Sequence, residues 1–169
     1  MKVIVCGAGQ VGFSIARHLA LENNDVTVID QDPALVRRVS DTLDAQGVVG
    51  HASNPDVLEQ VGIADADMII AVTYADEVNM VACQIAHSLF DVPTKIARVR
   101  EQSYLQPIYA NLFSRDHMPI DDIISPEIEV ARAVSRRLQV PGAFEMIPLV
   151  NDKVKLIGVR CEETCPLVN

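Results

Sequence analysis

Two hydrophobic rhythms alternate along the chain. Short apolar runs occupy residues 3–6, 26–29, 47–49, 68–72, 95–99 and 122–124, and they read as strands covered on both faces. Between them, apolar residues return at helical spacing. Val11, Ile15 and Leu19 form one such stripe, and Val36, Val39 and Leu43 form the next, which starts at Pro33. Val78, Ala82, Ile85 and Leu89 make a third. Ile128, Ala131, Val134 and Leu138 make a fourth, entered through Pro126. This alternation predicts an α/β fold, a Rossmann-like doubly wound parallel sheet of six strands with ligands beyond the carboxyl ends of those strands.

The rhythm changes at Val140-Pro141-Gly142. Two strand-like runs follow, residues 144–150 and 154–159, with Asn151-Asp152 between them, as in a hairpin or linker. We therefore expect one α/β domain over residues 1–140. Residues 141–169 are expected to be a short β tail that opens a further, truncated domain, because Cys165-Pro166-Leu167-Val168-Asn169 provides no closing element.

Composition narrows the class. The chain has 169 residues, 49% hydrophobic and 22% charged, which suits one folded core and argues against disorder. No apolar run reaches the roughly 18 residues of a membrane span, and the first residues lack the pattern of a secretory signal, so a cytoplasmic location is expected. A net charge of −9 argues against nucleic acid as a partner, and the basic group Arg132, Arg136 and Arg137 reads as a solvated helix face. Of the four cysteines, Cys6 and Cys83 fall in apolar elements as small buried residues. Cys161 and Cys165 lack the companion pair that a zinc site needs.

The chemistry is concentrated at Gly7-Ala8-Gly9-Gln10-Val11-Gly12, a G-x-G-x-x-G that follows the first strand and opens the first helix. Gly7 permits the tight turn, Gly9 lets main chain approach a pyrophosphate, and Gly12 lets helix pack against strand. The amides at the helix start, with Gln10 and Val11, supply a partial positive charge for the anion. Asp30 ends the second strand 18 residues beyond Gly12, followed by Gln31 and Asp32. A carboxylate there accepts from ribose hydroxyls and repels a 2′-phosphate, so NAD(H) is favoured over its phosphorylated form. The same ribose occurs in ATP and ADP, which stay open as competing ligands.

Together with Val28-Ile29-Asp30, the stretches at residues 49–58, 66–73, 76–83, 96–100 and 124–127 give the chain a specific likeness. It resembles the RCK/KTN nucleotide-binding domains, the group that includes peripheral regulators of bacterial Trk potassium uptake. The resemblance implies that His51 and Ala52 form the adenine-side stretch, where many relatives carry an acid in place of His51. The histidine could accept through one nitrogen, stack on the base, or stand in solvent. Thr73 is implied to line the ribose–pyrophosphate crevice and Arg98 to face the distal part of the ligand. Arg100 is the weaker candidate, because strand alternation turns it away. Asp76 and Asn79 open the next helix, either as ligand-side residues or as caps. The resemblance further implies a homo-oligomer on the inner face of the membrane, attached to a potassium-translocating membrane subunit. Residues 80–89 and the tail after residue 140 are expected contact surfaces.

The competing class is an NAD-dependent oxidoreductase whose catalytic domain is missing. Such an enzyme needs an acid–base group over the nicotinamide. His18 and His87 fall within helices, His51 in the adenine-side loop and His117 in a polar turn, while Ser14, Ser53 and Tyr74 form no nucleophile pair. A binding switch rather than an enzyme is expected. A purely structural subunit would show damaged glycines or a lost acid, and neither is seen.

Overall fold

The computed structural model describes residues 1–139, 143–150 and 153–161. The turns expected around Pro141 and at Asn151-Asp152, the Cys165-Pro166-Leu167 segment, and the side chains of Arg132, Arg136 and Arg137 lie outside the described residues. The chain divides into two compact units, Met1–Ile124 and Ser125–Asn169.

In the first unit, six strands make one parallel sheet: β1 (Lys2–Cys6), β2 (Asp25–Asp30), β3 (Gln46–Val49), β4 (Met68–Ala71), β5 (Thr94–Arg98) and β6 (Asp122–Ile124). Their order is β3-β2-β1-β4-β5-β6, the doubly wound arrangement that the alternation predicts. The chain leaves β1 on one side toward β2 and later returns on the other side as β4. Cys6 pairs with both Ile29 and Ala71, so the carboxyl ends of the three central strands lie level. The crevice opens there.

Although the central strands are continuously apolar, successive side chains still serve opposite faces. Val3, Val5, Val26, Val28, Ile70 and Val72 pack with Ala16 of α1 (Gln10–Leu21) and Val39 of α2 (Pro33–Thr42). Ile4, Cys6, Ile29, Ile69 and Ala71 pack on the other face with Leu58 of α3 (Pro55–Gln60) and with Met80, Ala82 and Cys83 of α4 (Asp76–Phe90). Each fully buried Val, Leu, Ile or Met among them contributes about 1.5–3 kcal/mol by leaving water. Cys6 and Cys83 are free, buried thiols, as expected of small core residues. Burial pushes Cys83 up to about 12 and Cys6 higher still, which keeps both protonated and unreactive.

Two connections carry structure that the apolar stripes do not announce. Helix α3 has six residues, too few to display a period, and two 3-10 segments, Gln102–Leu105 and Pro107–Phe113, join β5 to β6. At the opposite end of the sheet from the crevice, Lys95 is buried. Its ammonium donates to the carbonyls of Val92 and Pro93 and pairs with Asp121 at 2.9 Å. Burial alone would raise the Asp121 carboxyl, but the hydrogen bonds and charge of Lys95 outweigh it and hold the group below its ordinary value.

The second unit contains helix α5 (Pro126–Gln139) and an antiparallel pair, β7 (Ala143–Leu149) and β8 (Val154–Val159), with a register shift between Ala143 and Glu145. This is the hairpin that residues 144–150 and 154–159 predict. Among the described residues, no helix is long and apolar enough to cross a membrane.

Candidate functional site

The glycine loop is built by close approach. Gly7 has φ +106°, a conformation that side-chain-bearing residues rarely adopt, and its amide donates to the Ile29 carbonyl at 2.7 Å. A Cβ on Gly12 would stand 1.8 Å from the Gly7 carbonyl oxygen, so the first turn of α1 lies directly against the loop. Gly9 behaves differently. It caps α1 without a side-chain hydrogen bond, no acid stands in the first turn, and a Cβ there would meet nothing within 4 Å. Gly7 and Gly12 hold the loop's shape, whereas Gly9 leaves room for something outside the chain.

Asp30 closes the loop from the next strand. Its Oδ2 accepts from the Ala8 amide at 2.6 Å and its Oδ1 from the Asp32 amide at 2.9 Å. The carboxylate therefore positions the glycine loop as well as facing the crevice. Each oxygen keeps acceptor capacity beyond these single bonds. Asp32 caps α2 by accepting from Ala34.

A cleft of about 480 Å³ opens over these strand ends. Of the residues expected at the site, Gly7, Gly9, Gln10, Val11, Asp30, Gln31, Ala52, Thr73 and Arg98 line it. Ile29, Leu35, Gly50, Val72, Tyr74 and Val78 join them without having been singled out. Val78 belongs to a helical stripe, where an apolar residue reads first as core, and Leu35 stands beside one. Tyr74 could have been found only by knowing that the β4 exit faces the loop.

Gly12, His51, Asp76 and Asn79 are not among the lining residues. Gly12 lies beneath the loop. His51 is half-buried and pairs through Nδ1 with the Ser53 hydroxyl at 2.7 Å, while its neighbours Gly50 and Ala52 face the cleft. Asp76 and Asn79 do not cap α4 with their side chains either: Ala75 occupies the cap position without a side-chain bond. They reach across the sheet instead. Asn79 is fully buried. Its Oδ1 accepts from the Thr73 amide at 2.8 Å and hydroxyl at 2.7 Å, and its Nδ2 donates to the Arg98 carbonyl at 3.0 Å. Asp76 accepts through Oδ2 from the amides of Arg100 and Glu101, both at 2.8 Å. Two side chains of one helical turn thus staple the exit of β4 to the exit of β5.

Arg98 and Arg100 separate as strand alternation suggests. Arg98 lines the cleft, and its Nε is buried without a hydrogen-bond partner. Arg100 turns aside, with Nε 3.7 Å from Asp76 Oδ1, a hydrogen bond to the Tyr74 carbonyl, and its guanidinium 4.4 Å from the centre of the Tyr74 ring. An open helix start at one end and the Arg98 cation, with its unpartnered Nε, at the other suit a polyanionic ligand lying across the strand ends.

The family model described as the TrkA-N domain matches residues 3–126. The chain belongs to the TrkA-N family. The Trk system potassium uptake protein TrkA of Azorhizobium caulinodans is 58% identical over 169 residues, all of this chain and 37% of that protein. TrkA of Halomonas elongata is 48% identical over 168 residues, 99% of this chain and 36% of that protein. The chain thus spans little more than a third of the length of these curated relatives. Solved structures agree in fold. The TrkA-N domain of the inner membrane protein ybaL from Escherichia coli superposes with TM-score 0.70 at 18% identity, over 81% of this chain and 96% of that one. A structure described as the GsuK channel bound to NAD gives 0.68 at 18% identity, over 89% of this chain and 25% of that one. One described as GsuK bound to ADP gives 0.63 at 22%, over 82% and 34%. These likenesses place the present chain among TrkA-N domains in architecture.

Proposed function

We propose that this chain is the nucleotide-binding part of a regulatory subunit of a Trk-type potassium uptake system, and that its ligand is NAD(H), with ATP or ADP as competitors. The observation that carries the reading is the pairing of the open Gly9 helix start with Asp30 across one cleft, in a chain whose relatives bear the names of potassium uptake proteins. The neighbouring channel described once with NAD and once with ADP supports both ligand classes. In this reading Gly7, Gly9, Gln10 and Val11 hold the pyrophosphate. Asp30 and Gln31 take the first ribose, Ala52 and the His51 stretch the adenine side, and Thr73 and Arg98 the distal half. Gly12, Asp76 and Asn79 act as supports.

The protein works as a switch rather than as an enzyme. Thr73, Tyr74, Val78 and Arg98 at the distal end provide contacts and a fixed charge, which suits holding a ligand. Nucleotide shifts the balance between two packings of a homo-oligomer attached to a potassium-translocating membrane subunit, on the cytoplasmic face. It does so only as far as its affinity for the two packings differs. Exposed Val81 and Leu89 on α4 offer apolar contact for a second copy. Residues 1–140 then form the nucleotide domain and 141–169 lead into its companion.

Calorimetric titration with NADH, NAD, NADPH and ATP, beside an Asp30→Ala variant, tests this. NADH or NAD should bind far more tightly than NADPH, and the variant should lose at least about tenfold, the value of a charged hydrogen bond to ribose. A clear preference for ATP would move the ligand to adenine mononucleotides. No binding by any of them would end the nucleotide reading.

A further inference from the structure

The sheet order divides the cleft into two unequal chemistries. Over β1 and β2 lie the glycine loop and Asp30, enough for one nucleoside and its phosphates. Over β4 and β5 the lining is Thr73, Tyr74, Val78 and Arg98, an aromatic ring and an apolar side chain beside a cation. A ligand with one ring leaves this second half unused. A dinucleotide brings another ring to it.

Tyr74 is 84% exposed, an unusual place for a large aromatic side chain unless something meets it. Its ring is also held in position. The Arg100 guanidinium lies 4.4 Å from the ring centre and donates to the Tyr74 carbonyl. Arg100 is itself tied down, its amide bonded to Asp76 Oδ2 at 2.8 Å and its Nε 3.7 Å from Oδ1 of the same carboxylate. Asp76 is only 7% exposed, so the chain of contacts is anchored in the core. A ring fixed in advance loses little freedom on stacking, which is what makes an aromatic platform effective.

We propose that Tyr74 is a specificity-determining residue that reads the second ring of a dinucleotide, held in place by Arg100 and Asp76. The inference rests on the nucleotide-binding reading of this cleft. It assigns Tyr74 no part in holding the adenine half, and it makes the chain a discriminator between dinucleotides and adenine mononucleotides.

The test compares NADH and ADP by calorimetric titration on the chain and on Tyr74→Ala, Tyr74→Phe and Arg100→Gln. Tyr74→Ala should lose roughly tenfold in NADH affinity, the scale of one ring-stacking contact, while ADP affinity stays within about twofold. Tyr74→Phe should keep NADH affinity, since the ring rather than the hydroxyl acts. Arg100→Gln should cost NADH a smaller factor and ADP none. Equal losses for both ligands in Tyr74→Ala, or no loss for NADH, would overturn the proposal while leaving nucleotide binding intact. If neither ligand binds the unaltered chain, the underlying reading falls with it.

Discussion

On the β1–β2 side of the cleft the working surface is main chain: Gly7 in a left-handed turn, the Gly9 helix start, and amides that a single carboxylate, Asp30, draws together. On the β4–β5 side it is side chain: Thr73, Tyr74 and Arg98, held by the buried Asn79 and Asp76. The first side tolerates no added atom at Gly7 or Gly12 but asks little of distant residues. The second has room for side chains, yet depends on hydrogen bonds between residues far apart in sequence. Shape is protected by the absence of Cβ atoms in one half and by the buried hydrogen bonds of Asn79 and Asp76 in the other.

Substitution at the glycines should break this contrast most sharply. Gly12→Ala places a Cβ 1.8 Å from the Gly7 carbonyl oxygen, backbone that cannot swing aside. It should cost about 3 kcal/mol or more in urea unfolding, at the upper end of overpacking effects. Gly9→Ala meets open space and should cost about 1 kcal/mol or less, the scale of a lost helix cap, while still obstructing nucleotide. Equal destabilisation by the two variants would mean that the loop does not divide into support and contact positions.

On the other side, Asn79→Leu keeps the volume and removes the side-chain partner of the Thr73 amide and of the Arg98 carbonyl, while the Thr73 hydroxyl keeps only its bond to the Ala75 carbonyl. We expect a loss of about 2–3 kcal/mol, since buried groups left unsatisfied cost about 1–3 kcal/mol and some recover water at the cleft. Asn79→Asp sharpens the point. A carboxylate repels the Arg98 carbonyl and a protonated acid can donate to it, so stability and nucleotide affinity of this variant should rise as pH falls. A flat pH profile would show that the Arg98 bond is not what Asn79 contributes.

A smaller effect is expected away from the cleft, at Lys95 and Asp121. The Asp121 carboxyl lies below its ordinary value when folded, so its contribution is present above the unfolded value and disappears as pH falls through the folded one. Asp121→Asn should cost about 1–2 kcal/mol at neutral pH, reduced because Asp121 is half-exposed and Lys95 keeps two carbonyl partners. The difference from the unaltered chain should shrink in acid unfolding curves below the ordinary aspartate range. A difference that persists unchanged in acid would show that the pair's charge is not its contribution.

The amino-acid sequence by itself determined the strands, their parallel winding, the loop Gly7-Ala8-Gly9-Gln10-Val11-Gly12 and the place of Asp30. These are requirements that one residue position must satisfy alone: a positive φ, a missing Cβ, an apolar side chain on each face of a buried strand. Tertiary structure decided what depends on which strand ends become neighbours. Helical spacing offers Asp76 and Asn79 as caps, but β5 runs beside β4, and that places acceptors and donors 19 to 25 residues away within their reach. The same adjacency clamps the Tyr74 ring under Arg100, and local geometry pairs His51 with Ser53 while Gly50 and Ala52 line the cleft. A buried polar side chain takes whichever partner the fold brings within about 3 Å, and a linear pattern does not contain that distance.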